Sequence, residues 1–259
     1  IDLRERGFYY VDKTDYIPKL EDYNAPVFLR PRRFGKSLLV STLACYYDRT
    51  KAHRFEELFG GTWIGNHPTK EHNSYMIIRY DFSKMVMADT IEGLAQNFND
   101  LNCGSVDVMV EHNRDLFGDF QFTTRGDASK MLEEVLNYAR SHEFPKVYLL
   151  IDEYDNFTNQ LLTAYNDPLY EEVTTNDSFL RTFFKVIKAG IGEGSIRTCF
   201  CTGVNLLKII QNPVSRKCCF CQLSVSRCCN CHLYISLFKP FQSFLHSWFQ
   251  RCFKPVKIT

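Results

Sequence analysis

The sequence lacks long apolar runs, and over most of its length it has little cysteine. No stretch offers the roughly 18 consecutive apolar residues that a membrane-spanning helix needs. The amino-terminal "IDLRERGFYYVDKTDY" is charged and lacks the apolar core of a signal peptide. Only Cys45 and Cys103 precede residue 199, too few and too isolated for a disulfide framework. These absences predict a cytoplasmic protein with reduced thiols and no membrane association.

Acidic residues are missing from the last quarter of the chain. Residues 1–193 hold all 30 acidic and 22 of the 31 basic residues, a formal net charge of −8, whereas residues 194–259 hold nine basic residues and no acid. The total of +1 predicts no strong attraction to nucleic acid or membrane. A chain of 259 residues has room for one full core. We therefore expect a main domain over 1–210 and a Cys-rich basic tail over 211–259.

Alternating strands and helices predict an α/β fold. Short apolar runs indicate four strands: "PVFLR", "SYMIIRYDFS", "KVYLLIDEYDNF" and "SIRTCFCTGV". Helical spacing of apolar residues indicates four helices: "KSLLVSTLACYYDRT", residues 90–99, "DASKMLEEVLNYARSHE" and residues 177–189. Strands that alternate with helices in this way predict a mostly parallel sheet covered on both faces.

The stretch "VFLRPRRFGKSLLV", residues 27–40, joins a strand to a helix through Phe-Gly-Lys-Ser. In a phosphate-binding loop, backbone N–H groups and a helix amino terminus meet the phosphates. Gly35 would permit that approach, Lys36 would reach the β- and γ-phosphates, and Ser37 would offer its hydroxyl to magnesium. Arg30 stands where such a loop usually has its first glycine. The alternative interpretation is a basic surface turn before an amphipathic helix.

Two further strand ends carry polar residues. "VYLLIDEYD" ends in Asp152, which would hold magnesium, and Glu153, which would polarise an attacking water. Acids that merely cap a strand are the alternative, but their place about 115 residues after Gly-Lys-Ser favours a P-loop ATPase. "RTCFCTGVN" puts Thr202 and Asn205 where a polar residue could sense the γ-phosphate. A plain Thr-Gly turn remains the other interpretation there.

Four segments, in order and spacing, resemble the AAA-ATPase-like family over roughly residues 7–204: "YYVDKTDYI", "FLRPRRFGKSLLVSTLACYYD", "LLIDEYDN" and "FCTGV". The resemblance implies an α/β P-loop NTPase three-layer fold with a mostly parallel sheet. It also implies that "RPRRFGKS", with Arg30, is the family's own Walker A loop. After Val204 the sequence departs from the family pattern, so we expect the domain to be C-terminally truncated or diverged.

The same resemblance implies ATP and Mg²⁺ as cofactors and assigns candidate residues. The nucleotide would contact residues 32–38, which are Arg32, Arg33, Phe34, Gly35, Lys36, Ser37 and Leu38. The metal would be held by Ser37 and Asp152, and catalysis would use Lys36, Glu153 and Thr202. Whether Arg32 and Arg33 touch nucleotide or only solvent stays open.

We therefore expect a P-loop ATPase module that hydrolyses ATP with Mg²⁺ to drive a conformational change or a partner interaction. The partner would be another protein or a second copy of the chain. Nucleic acid enters only by family association, because longer relatives often carry a PD-(D/E)XK nuclease-like domain. The alternative is a nucleotide-binding regulatory switch or an inactive remnant.

Two further groups of residues have two interpretations each. Tyr9–Lys13 could cover the adenine or form a packed turn with a capping Asp. Arg181 could be an arginine finger or an exposed helix residue.

The tail contains two Cys-x-x-Cys pairs, within "CCFC" at 218–221 and "CCNCH" at 228–232. Four thiolates suit tetrahedral zinc, but the spacing between the pairs is short for a zinc ribbon. We favour the alternative, that the tail is out-of-frame or unspliced coding sequence.

Removal of residues 213–259 should then leave ATP binding unchanged, and elemental analysis should find no stoichiometric zinc. One tightly held zinc per chain, lost when Cys218→Ser and Cys228→Ser are combined, would contradict this.

Overall fold

The computed structural model describes residues 6–7, 10–156, 173 and 178–204. The strands are β1 (Val27–Leu29), β2 (Met76–Asp81), β3 (Val147–Asp152) and β4 (Ile196–Gly203). The α-helices are α1 (Ile17–Leu20), α2 (Lys36–Tyr47), α3 (Phe55–Phe59), α4 (Trp63–Asn66), α5 (Ile91–His112), α6 (Arg114–Phe117), α7 (Ala128–Ser141) and α8 (Phe179–Glu193). Short 3-10 helices span Thr14–Tyr16, Arg49–Arg54 and Phe82–Lys84.

The described strands form one sheet in the order β1-β4-β3-β2, and every pair is parallel. The strand β4 comes last along the chain but lies between β1 and β3. Because parallel strands end at the same edge, the loop after β1, the end of β4 and the acids after β3 meet along one edge of the sheet. The prediction of a mostly parallel α/β sheet from the four apolar runs is confirmed.

Helices cover both faces of the sheet. On one face, alternate residues of β2, β3 and β4 pack with α5, α7 and α8 in a large core. On the other, Phe28, Tyr148, Leu150 and Phe200 pack against Val40 and its neighbours on α2. All six residues of β3 are buried, which explains why that strand reads as a nearly continuous apolar run. The result is the three-layer arrangement expected of a P-loop NTPase.

Helix ends follow local capping chemistry. The Asp127 carboxylate accepts hydrogen bonds from the N–H groups of Ser129 and Lys130 at the start of α7. The prediction for α5 was too short, because the helix continues to His112. Polar residues and Gly104 obscure its second half, where Asn102 is buried and its side chain donates to the Phe98 carbonyl at 2.7 Å.

The amino-terminal "VDKT" packs against the start of α4. The carboxylate of Asp12 accepts from Thr14 N–H at 2.9 Å and from Trp63 N–H at 2.6 Å. The hydroxyl of Thr14 accepts from Ile64 N–H at 3.0 Å. This geometry agrees with the interpretation of a packed turn with a capping Asp. Tyr9, Asn205 and the tail over 211–259 lie outside the described residues, so the domain boundary at 210 stays a prediction.

Within the described part of the chain, no helix is both long and apolar enough to cross a bilayer.

Candidate functional site

The candidate site lies on the α2 face of the carboxyl edge of the sheet. Side chains of a strand alternate between its two faces, so residues two positions apart share a face. Asp152 therefore lies on the same face as buried Leu150, and Thr202 on the same face as buried Phe200. Leu29 at the end of β1 is paired with Gly203. The strand register therefore brings together three segments that are far apart in sequence.

The loop after β1 turns directly into α2. Arg30 N–H donates to the Gly203 carbonyl at 3.0 Å, which extends the pairing of β1 with β4. Gly35, immediately before α2, has φ 74°, a left-handed conformation that glycine adopts without strain. The first N–H groups of α2 have no intrahelical acceptors, so with the helix dipole they make this end suited to an anion.

Arg33 is also left-handed, with φ 66°, and for a residue with a side chain this costs about 1 kcal/mol. Sequence reasoning did not predict this strain, because nothing in "RPRRFGKS" distinguishes Arg33 from Arg32. Both side chains are exposed, as are Ser37 and Leu38, whereas Phe34 is partly buried. The exposed residues of the predicted nucleotide contact thus present a basic, open surface around the start of α2.

Lys36 is buried, with 5% of its surface exposed. Its Nζ donates to the backbone carbonyls of Arg30 at 3.0 Å and Pro31 at 3.1 Å. Both acceptors belong to the loop itself, so the ammonium is folded across the loop rather than paired with a carboxylate. A phosphate at the start of α2 would offer this cation a stronger, charged acceptor.

Asp152 is the last residue of β3 and is buried. Its Oδ1 accepts from the hydroxyl of Thr202 at 2.5 Å. The same hydroxyl oxygen accepts from Glu153 N–H at 3.2 Å, and Tyr154 N–H donates to the Thr202 carbonyl at 2.9 Å. Thr202 therefore fixes the turn that carries both acids. Glu153 itself is left-handed, with φ 53°, and its side chain is only partly buried.

Two neighbours of this turn were missed by sequence reasoning. Asp155 is buried, and its Oδ2 accepts from Val204 N–H at 2.9 Å. Gly203 leaves no room for a side chain, because a Cβ there would lie 2.5 Å from a ring carbon of Tyr154. The repeated acid in "DEYD" and the glycine in "CTG" were the available signals. Through the Asp155 hydrogen bond and the absence of a side chain at Gly203, the end of β4 packs closely against the turn after β3.

Arg79 was also missed. It lies in β2, on the same face as Asp152, with its side chain 38% exposed. Its Nη2 is 3.5 Å from Asp152 Oδ2, and its Nη1 donates to the hydroxyl of Ser41 on α2 at 3.2 Å. A charged residue within the apolar run "MIIRYD" was the signal that could have found it.

The oxygen atoms at this site fit a hard cation whose coordination shell would be completed by phosphate and water. Ser37 offers an exposed hydroxyl and Asp152 a carboxylate, and magnesium is commonly held by one or two such protein oxygens. The described residues contain no cluster of three or more His, Cys, Asp or Glu that could hold a metal by itself.

Arg181, which the sequence leaves open as an arginine finger or an exposed helix residue, lies in the first turn of α8, where its N–H donates to the capping Ser178 hydroxyl at 3.2 Å. The helix α8 packs on the sheet face opposite to α2, so the backbone of Arg181 and the phosphate-binding loop lie on opposite sides of the sheet. The choice between a finger and an ordinary helix residue stays open.

Comparison with known proteins gives a family for this arrangement. A family model described as a predicted AAA-ATPase matches residues 1–213. The uncharacterized protein in the vnfD 5' region of Azotobacter chroococcum mcd 1 is 28% identical over 210 residues, which cover 76% of this chain and 34% of that protein. The chain thus spans about a third of that relative's length. No solved structure matches this chain. Since the family model covers most of the sequence, including the loop and both other strand ends, the chain belongs to the AAA-ATPase-like family.

Proposed function

We propose that this domain binds ATP with Mg²⁺ and hydrolyses it to drive a conformational change or a partner interaction. Family membership supports a nucleotide-binding module of the AAA-ATPase type. One observation carries the finer proposal: a single hydroxyl, that of Thr202, holds both Asp152 and the backbone of Glu153 beside the strand that leads into the Lys36 loop. Acids fixed at that place suit metal binding and water activation.

Phosphate binding would use the start of α2. The N–H groups of its first turn have no intrahelical acceptors, and the Lys36 ammonium lies across the loop that precedes them. Lys36 would exchange two neutral carbonyl acceptors for negatively charged phosphate oxygens, a change that favours binding because it adds attraction between opposite charges. Exposed Arg32 and Arg33 add positive charge at the mouth of the loop.

Hydrolysis would divide the two acids between two roles. Asp152, with Oδ1 already bonded to Thr202, would offer Oδ2 to the metal site, and Mg²⁺ would neutralise charge that develops on the phosphates. Glu153 is partly exposed and therefore reachable by water, whose proton it would accept. Thr202 would keep the two carboxylates in register. A direct contact between Thr202 and the γ-phosphate stays a prediction.

Phosphate release from ATP in the presence of Mg²⁺ tests this proposal. An ATPase gives release above the background of the Lys36→Ala variant. Nucleotide-dependent stabilisation without release would identify a regulatory switch, and the absence of both would identify an inactive remnant. The parent chain and the variant must be purified identically, so that contaminating ATPases contribute equally.

Replacement of Thr202 by valine should separate hydrolysis from binding. Valine keeps the shape but removes the donor to buried Asp152, so we expect the free energy of unfolding to fall by about 1–3 kcal/mol. Misplacement of the two acids should slow phosphate release about 10- to 100-fold, with ATP affinity nearly unchanged. Thr202→Ser, which restores the hydroxyl, should recover most of the rate. Parental release by Thr202→Val would show that this hydroxyl does not position the acids.

A further inference from the structure

The guanidinium of Arg79 is shared between a carboxylate and a hydroxyl. It approaches Asp152 Oδ2 to 3.5 Å and donates to Ser41 Oγ at 3.2 Å. The first separation is long for a hydrogen bond, so the attraction to Asp152 is mainly coulombic. With 38% of the side chain exposed, Arg79 is free to leave the carboxylate while Ser41 retains it nearby.

Helix geometry places this guanidinium near both residues that the proposed function assigns to the metal. Ser37 and Ser41 are separated by one turn of α2, so they lie on the same face with Cβ atoms about 5–6 Å apart. Ser37 is the hydroxyl that the proposed function assigns to the metal, and Asp152 is the carboxylate. Arg79 contacts the second of these residues and the helical neighbour of the first.

Two cations would therefore act on one carboxylate. Oδ1 of Asp152 is engaged by Thr202, which leaves Oδ2 as the oxygen that faces both Arg79 and the metal position. The guanidinium and the metal ion would both be positively charged, so they would repel each other at this oxygen. A divalent ion can approach Oδ2 only against the field of the guanidinium or after displacing it.

We propose that Arg79 is a tethered counter-cation of Asp152 that competes with Mg²⁺ and so sets the Mg²⁺ concentration at which nucleotide binds tightly. This inference rests on the proposed function, because it assumes that Asp152 faces the metal. Without nucleotide, Arg79 neutralises the buried carboxylate. When the metal and nucleotide arrive, Arg79 retreats towards Ser41 and solvent.

The test is a Mg²⁺ titration of the full chain at fixed ATP, read as the midpoint of thermal unfolding and as binding of a fluorescent ATP analogue. For Arg79→Gln we expect the half-saturating Mg²⁺ concentration to fall about two- to fivefold, as suits one half-exposed charge. Arg79→Lys keeps the charge and should return the half-point towards the parental value. Arg79→Met, which keeps the aliphatic stem, replaces the glutamine variant if that variant does not fold.

Arg125→Gln is the matched control, because Arg125 forms an exposed pair with Asp107 at 2.8 Å, and neither residue touches the site residues described above. Its half-point should equal that of the parent. An unchanged or higher half-point in Arg79→Gln overturns the proposal. A higher half-point with weaker ATP affinity at saturating Mg²⁺ would instead assign Arg79 to phosphate. If ATP with Mg²⁺ does not stabilise even the parent, the proposed function itself fails, and this inference fails with it.

Discussion

Replacement of Lys36 by alanine is expected to weaken ATP binding about a hundredfold, or about 3 kcal/mol. The ammonium is held inside the loop by two backbone carbonyls, so its position is set before any ligand arrives. Among the described residues, Lys36 is the buried side-chain cation at the start of α2, and alanine would remove it. Stability should change little, because the two carbonyls that lose a donor belong to a loop at the surface.

Binding of a fluorescent ATP analogue measures the effect. Lys51→Ala is the matched control: Lys51 is also partly shielded and lies just beyond the other end of α2, where its Nζ is 3.2 Å from Asp48. That variant should bind ATP like the parent. If Lys36→Ala binds ATP with parental affinity, the loop does not hold phosphate.

Replacement of Glu153 by glutamine is expected to leave ATP bound but to slow hydrolysis about 10²- to 10⁴-fold, the usual contribution of a general base. Glutamine has the same shape, and the Glu153 N–H that donates to Thr202 belongs to the backbone, so the turn should persist. What disappears is the group that accepts a proton from water.

Single-turnover phosphate release, measured beside ATP binding, separates the two steps. Glu143→Gln is a close control, because Glu143 is exposed and has the same left-handed backbone, with φ 56° against 53° for Glu153. It tests whether the change from glutamate to glutamine in that conformation perturbs the domain. Parental release by Glu153→Gln would place the water-activating group elsewhere.

The strands were predictable because each is an apolar run between polar turns, and β3, buried on both faces, gave the clearest pattern. The parallel sheet then implied that Lys36, Asp152 and Thr202 would meet at one edge. The sharing of one Thr202 hydroxyl between Asp152 and the Glu153 backbone depends on register and side-chain direction, which sequence spacing does not contain.

Other features were hidden for separate physical reasons. The left-handed backbones of Arg33 and Glu153 are imposed by the turns around them, because neither residue type favours that conformation. Arg79 reads as an ordinary exposed position of a strand until α2 and β3 are placed on either side of it. The length of α5 was underestimated because polar residues interrupt its second half, and the sequence does not show that Asn102 is buried with its side chain bonded to the Phe98 carbonyl.

Thermal unfolding of the full chain, with and without ATP and Mg²⁺, shows whether the folded domain binds ATP with Mg²⁺ at the start of α2. At a ligand concentration about 100 times the dissociation constant, binding adds about 2.7 kcal/mol to the free energy of unfolding. For a domain of this size, that should raise Tm by roughly 5–10 °C. We expect this rise in the parent and its near-loss in Lys36→Ala. An unchanged Tm of the parent at millimolar ATP and Mg²⁺ would contradict it.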